Sequence, residues 1–238
     1  MVSKNQKRLL QSEHCTERKK TIRHLVVHSF AFSVDEMLPL LDKLGMSTHY
    51  IIDTSGRVIQ LVPEDKVAWH AGKSFWRGGT GLNATSIGIE LQNNTLGQEP
   101  FSDIQLKSFK ELAQDLVKRY QIDARNVVAH SDIAPTRKVD VGKAFPWQDM
   151  AKVGIGIWPA QSSILKGKEE DVASLLATIG YDTSDVGKAL LAFERHFMPE
   201  LVPTDMDIMH LEENLKKVQP VNTPAVRRRL AEVAQAFR

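Results

Sequence analysis

The chain has 238 residues, 42% of them hydrophobic and 25% charged, with a formal net charge of +2. These proportions are ordinary for a globular protein of one domain with an appendage or of two domains, and they exclude wholesale disorder and the strong basic field of a nucleic-acid binder. The one cysteine, Cys15, excludes an intramolecular disulfide and a thiolate cluster around a metal, and no apolar stretch matches a membrane span or a signal-peptide core.

Residues 1–21 carry Lys4, Lys7, Arg8, Arg18, Lys19 and Lys20 and are expected to form a solvated basic arm. From 22 to 158 strand and helix patterns alternate. Ile22 to His28 predicts a buried strand, and Ser33 with Glu36 predicts a capping box opening a helix that carries Met37, Leu40, Leu41 and Leu44 and stops at Gly45. Pro39 lies inside that helix and should kink it or move its start later. Tyr50–Ile52 and Val58–Leu61 flank Asp53-Thr54-Ser55-Gly56 as a hairpin, 69–83 reads as a loop, and Ser86–Gln92 returns to strand. A helix opened by Ser102, with Gln105 as its box partner, presents Leu106, Phe109, Ala113 and Leu116 on one face. The strand Val127–Ala129 follows. This order predicts an α/β fold, a mixed central β-sheet flanked by helices. Residues 159–170 read as a linker, and 171–238 as a small all-α domain. Its stripes are Val172, Leu175, Leu176, Ile179 and Val186, Leu190, Phe193, Phe197, with a third helix from near Asp205 and a fourth opened by Thr223-Pro224. So small a domain is marginal unless it docks on the first.

Two apolar runs end in the same pair of residues, Leu25-Val26-Val27-His28-Ser29 and Val127-Val128-Ala129-His130-Ser131, and Asp140 lies ten residues past the second histidine. If the runs are neighbouring strands, His28 and His130 share a crevice at the strand ends, where ligands of open α/β sheets bind. Two neutral imidazoles and a carboxylate from Asp140 then make a zinc (Zn2+) site with one open position, as a hydrolytic zinc enzyme requires. Glu90 is the candidate base, because strand alternation sets Gly88, Glu90 and Gln92 opposite Ile87, Ile89 and Leu91. The alternative is an edge strand with Glu90 in solvent. Lys138, two residues before Asp140, is the candidate stabiliser of an oxyanion, or else an exposed loop lysine.

With those residues in place, the chain resembles the zinc-dependent N-acetylmuramoyl-L-alanine amidases of the second amidase family, relatives of phage lysozyme-type amidases and animal peptidoglycan recognition proteins. The resemblance rests on Leu25–Ser29, His49-Tyr50-Ile51-Ile52-Asp53, Trp69-His70-Ala71-Gly72, Ser86–Glu90, and His130–Pro135 followed by Arg137–Asp140, in the family's order. It implies His28, His130 and Asp140 as metal ligands, Glu90 and Lys138 as catalytic residues, and 22–158 as the catalytic domain. It further implies cleavage of the amide between N-acetylmuramic or anhydro-muramic acid and L-alanine, in peptidoglycan, muropeptides or a lipid-linked precursor. Where this branch usually has Pro-Gly after the aspartate, the chain has Val141-Gly142, which should loosen that loop.

His70, Trp69, Trp76 and Arg137 are expected to bind substrate, with core filling the alternative for the aromatics. His24 and His49 read as satisfied interior histidines. The helical tail, through Leu175–Asp182, resembles a small peptidoglycan-binding domain or else is a stabilising appendage. A monomer without nucleic-acid partners is expected. The substrate points to the cell envelope or periplasm, with the cytoplasm as alternative because no signal peptide is visible. A non-catalytic muropeptide-recognition module is the competing function; the complete ligand, base and lysine set argues for the enzyme.

Overall fold

The computed structural model describes residues 8–9, 12–160, 170–204 and 210–238, and of 8, 9, 211 and 212 the backbone alone. In chain order the elements are β1 (Arg8–Leu9), β2 (Cys15–Glu17), β3 (His24–Phe30), α1 (Val34–Lys43), β4 (Tyr50–Ile52), β5 (Val58–Gln60), β6 (Lys66–Ala68), β7 (Phe75–Trp76), β8 (Gly79–Thr80), β9 (Ser86–Gln92), α2 (Asp103–Tyr120), β10 (Val127–Ala129), α3 (His130–Ile133), α4 (Trp147–Ala151), α5 (Val172–Ile179), α6 (Val186–Phe197), α7 (Leu211–Lys217) and α8 (Pro224–Phe237).

A six-stranded mixed sheet runs in the order β1-β5-β4-β9-β3-β10, with β4, β9, β3 and β10 parallel to one another and β5 antiparallel to β4. β3 is buried along its whole length, as an unbroken apolar run in a parallel sheet should be. Period-two alternation then sorts its neighbours between two cores. Leu25, Val27, Ile87, Ile89 and Leu91 pack with Phe109, Leu112 and Leu116 of α2, while Val26 and Val128 face the other way. That second face is covered by the C-terminal helices, through Leu176, Ile179, Phe193 and Val233. The predicted α/β sheet with helices on it is what is found, and the helical segment is docked on it through a shared apolar core.

Several local expectations need correction. Residues within the supposed basic arm are built into the fold. Arg8–Leu9 pair with β5, Cys15–Glu17 pair with β6, and Arg18 donates to the carbonyls of Glu64, Lys66, Ala84 and Ser86 at 2.7–3.0 Å. A guanidinium presents five donors and so satisfies several carbonyls that strand ends leave open, which is why this part of the arm is not solvated. Pro39 does not move the start of α1. The Ser33–Glu36 box forms on both sides, and Val34, Met37 and Leu41 are buried, which outweighs the one missing amide. The 69–83 stretch contains the short hairpin β7–β8. Residues 161–169 of the expected linker, and the expected helix start near Asp205, lie outside the described residues.

Candidate active site

Register, not proximity in sequence, assembles the site. β3 and β9 pair in parallel with His28 opposite Glu90, and β10 pairs with β3 with Ala129 opposite Val27. One residue further, His130 comes level with His28 and opens the short helix α3. Asp140 arrives from the following loop, tied to α3 by the Ser131 amide donating to its carbonyl at 2.6 Å. That loop is tightly packed, although proline is missing. Val141 is buried, and a Cβ on Gly142 would stand 2.1 Å from the Leu96 carbonyl oxygen, so the expected loosening is absent.

His28 Nδ1 lies 2.9 Å from His130 Nδ1 and 3.3 Å from Asp140 Oδ2, and His130 Nδ1 lies 3.2 Å from the same oxygen. All three side chains are buried, and among the described residues they form the group able to hold a metal ion. Tetrahedral zinc, with bonds of about 2.0–2.2 Å to nitrogen and oxygen, holds its donors roughly 3.3 Å apart, so the spacing and the chemistry of the donor set fit that ion. The protonation states fit as well. Burial, with His130 adding to it, lowers His28 to about 4, which leaves a neutral ring with a free lone pair. Although burial alone would raise Asp140, His130 and His28 hold it well below the usual carboxylate range.

Glu90 stands beside this centre, its Oε1 3.8 Å from His28 Nδ1. Burial first and the Asp140 charge second push its carboxyl up to about 8. It is interior, in a strand paired on both sides, so the edge-strand alternative does not hold. Lys138 is half-buried on the cleft wall, and its charge reaches both His28 and Glu90, pulling each pKa down.

The centre floors a cleft of about 850 Å³, within the usual range for ligand sites. Trp69, His70, Arg137 and Lys138 line it. Trp76 does not. Its ring is 2% exposed, packs edge-on to Tyr181 and Phe237, and donates its indole N–H to the Arg125 carbonyl at 3.0 Å. This corrects its assignment to substrate binding, because the pairing that buries it is with the C-terminal helices. His24 and His49 are satisfied interior histidines, bonded to Thr85 and to the Gly88 amide respectively. Sequence reasoning missed the apolar wall contributed by Phe30, Met37, Leu40 and Leu44, and the polar wall of His210, Glu213 and Lys216 from around α7. The exposed edge of the α1 stripe was a usable signal for the first; nothing local marks the second.

Comparison with known proteins follows the same lines. The sequence profile of the N-acetylmuramoyl-L-alanine amidase family matches residues 11–143. AmiD of Escherichia coli, described as an N-acetylmuramoyl-L-alanine amidase, is 40% identical over an alignment of 216 positions that covers 78% of this chain and 78% of that one. The structure of E. coli AmiD in complex with the substrate anhydro-N-acetylmuramic acid-L-Ala-D-gamma-Glu-L-Lys superimposes with a TM-score of 0.72 at 34% identity, covering 95% of this chain and 92% of that one. AmpDh3 of Pseudomonas aeruginosa gives the same TM-score at 28% identity, over 91% of this chain and 92% of the other.

Proposed function

This chain belongs to the N-acetylmuramoyl-L-alanine amidase family, and from that premise we propose that His28, His130 and Asp140 hold a zinc ion on which Glu90 and Lys138 act. The enzyme hydrolyses the amide between N-acetylmuramic acid and L-alanine in peptidoglycan or its fragments. The observation that carries the assignment of residues is the convergence of three buried donor atoms, all within 4.8 Å of one another, at the floor of the cleft. When bound, zinc acidifies water and polarises a carbonyl.

The chain's own residues supply the rest. Ionised under the pull of Lys138 and of a divalent charge in the donor set, Glu90 takes the proton of the attacking water and returns it to the leaving alanine nitrogen, a role that its position beside the donors permits. The Lys138 ammonium, whose charge reaches His28 and Glu90 from the cleft wall, stabilises the negative charge that develops on the attacked carbonyl oxygen. Trp69, 36% exposed at the cleft mouth, offers a face for a sugar ring or the stem peptide. Arg137 donates to the Ala71 and Lys73 carbonyls, so it shapes the wall before it meets any ligand. The anhydro-muropeptide bound by AmiD is the substrate class we assign, and one chain suffices as a monomer, because every donor and both catalytic residues come from it. No helix among the described residues is long and apolar enough to cross a membrane. The substrate points to the cell envelope or periplasm as the working compartment, with the cytoplasm as the alternative.

The test is mass spectrometry of anhydro-muropeptide and intact muropeptide incubated with the protein, with and without chelator. Release of free stem peptide that stops on chelation and returns with zinc is the expected result. In the same assay His28→Ala should lose both zinc and turnover, and full zinc occupancy in that variant would remove His28 from the site.

A further inference from the structure

Both histidine donors turn Nδ1 towards the shared centre, which leaves the far nitrogen of each ring to be accounted for. His28 Nε2 lies 2.9 Å from His70 Nδ1, and His130 Nε2 lies 3.4 Å from the carbonyl oxygen of Ala71. The two partners are consecutive residues. A neutral histidine that offers the Nδ1 lone pair to a cation carries its proton on Nε2, so each contact is a donation outward from the ring. His70 therefore accepts at Nδ1 and keeps its own proton on Nε2. That nitrogen lies 3.1 Å from Ser86 Oγ, and the serine hydroxyl donates in turn to the Leu82 carbonyl at 2.7 Å. The chain of protons runs one way, from His28 through His70 and Ser86 to a backbone oxygen. Reversing His70 alone would set two N–H groups face to face.

The segment that provides these acceptors is itself suspended. Asn83 Oδ1 accepts from the His70 amide at 3.1 Å and from the Ala71 amide at 2.7 Å, and Arg137 Nη2 donates to the second lone pair of the Ala71 carbonyl at 3.0 Å. The sheet beneath leaves room for the ring. A Cβ on Gly88 would stand 2.6 Å from His70 Cγ, so glycine in the middle of β9 is what lets the imidazole lie there. His70 is buried, and both of its ring nitrogens have partners within the protein, which leaves neither for a substrate.

We infer that His70 and Ala71 form a two-pronged bracket, hung from Asn83, that fixes the tautomer and ring orientation of both histidine donors; His70 is thus a positioning residue and not a substrate-binding one. This rests on the reading of His28, His130 and Asp140 as a metal site. Outer partners of metal-bound histidines commonly change metal affinity by about 10–100-fold when removed.

The experiment measures zinc affinity by competition with a chromophoric chelator, alongside kcat and KM on anhydro-muropeptide at saturating zinc. It compares the full-length wild type with His70→Ala, His70→Asn and Ser86→Ala. Zinc binding should weaken by about 10–100-fold in His70→Ala while KM moves less than about twofold. His70→Asn, whose Oδ1 can stand in for Nδ1 as acceptor, should recover part of the loss, and Ser86→Ala should weaken zinc in the same direction by a smaller factor. If circular dichroism shows His70→Ala unfolded, the Asn and Ser86 variants decide alone, and wild-type zinc affinity in both overturns the bracket. Unchanged zinc affinity in a folded His70→Ala protein, or a raised KM with affinity intact, overturns it too. A wild type that binds no zinc overturns the metal reading and the bracket together, so the two failures are told apart.

Discussion

Glu90 is a carboxyl held inside a parallel sheet, and such a group is costly unless a positive partner or a catalytic use offsets the burial. Glu90→Gln keeps its shape and removes its ability to take a proton. We expect turnover to fall by about 10²–10⁴-fold with one zinc still bound per chain, measured by muropeptide hydrolysis and metal analysis. Wild-type rates in that variant would exclude the base role. Lys138→Ala should lower kcat by about 10²–10³-fold and raise KM far less, because its charge is needed chiefly in the transition state; an unchanged kcat would make it a loop residue. These side chains were legible in the sequence because strand-end histidines and a mid-strand glutamate break the local apolar pattern. Trp76 was not, since its burial depends on Tyr181 and Phe237 far along the chain. The role of His70 was hidden for a similar reason, its partners lying on three other segments.

At the level of elements, Glu64, in the loop between β5 and β6, latches α2 to the sheet. Arg119 donates to its two oxygens at 2.6 and 2.9 Å, Tyr120 to one of them at 2.5 Å, and the Tyr50 hydroxyl to the other. Burial opposes ionisation, yet these donors bring Glu64 from its ordinary 4.5 down to about 2. A carboxylate depressed in the folded state binds protons more readily when unfolded. Its contribution is therefore complete above about pH 4.5 and is lost as the pH falls towards 2. Thermal midpoints measured across that window should fall less steeply in Glu64→Gln than in the wild type, and parallel curves would rule out the latch as the source. Caps and strands of this kind were partly readable beforehand. The Ser33–Glu36 box was found as expected, whereas Gln105 joins the Ser102 cap only through its backbone amide, which donates to Ser102 Oγ. Its side chain instead bridges the carbonyls of Ile52 and Gln92 at 2.9 Å, a tertiary bond that a capping pattern cannot reveal. β1 and β2, with two and three residues, are too short to display any period.

Across the whole molecule, the C-terminal helices hold α3, the element that carries His130. Asp132, fully buried in α3, accepts from the Tyr181 hydroxyl at 2.8 Å, from the Ala129 amide at 2.8 Å and from His196 Nδ1 at 2.7 Å. Around it the apolar cluster mixes Val26, Trp76, Val128 and Ile133 with Leu176, Tyr181, Phe193 and Phe237, so this second core is closed only by both parts together, beside the one that α2 closes on the sheet's other face. The leucine stripes announced helices, but a stripe does not name the surface it covers, and the shared core became visible only when the sheet's second face was seen. Two parts that complete one core should unfold as one. Calorimetry of the full chain is therefore expected to give a single transition, and Asp132→Ala, which strands buried donors, should cost about 2–5 kcal/mol and weaken zinc binding through α3. A chain ending at residue 160 exposes Val26, Trp76 and Val128 and should lose both the cooperative transition and wild-type zinc affinity. If that truncated chain folds, binds zinc as tightly as the parent and cleaves muropeptide at the parent rate, the helices are an independent appendage and the shared-core argument fails.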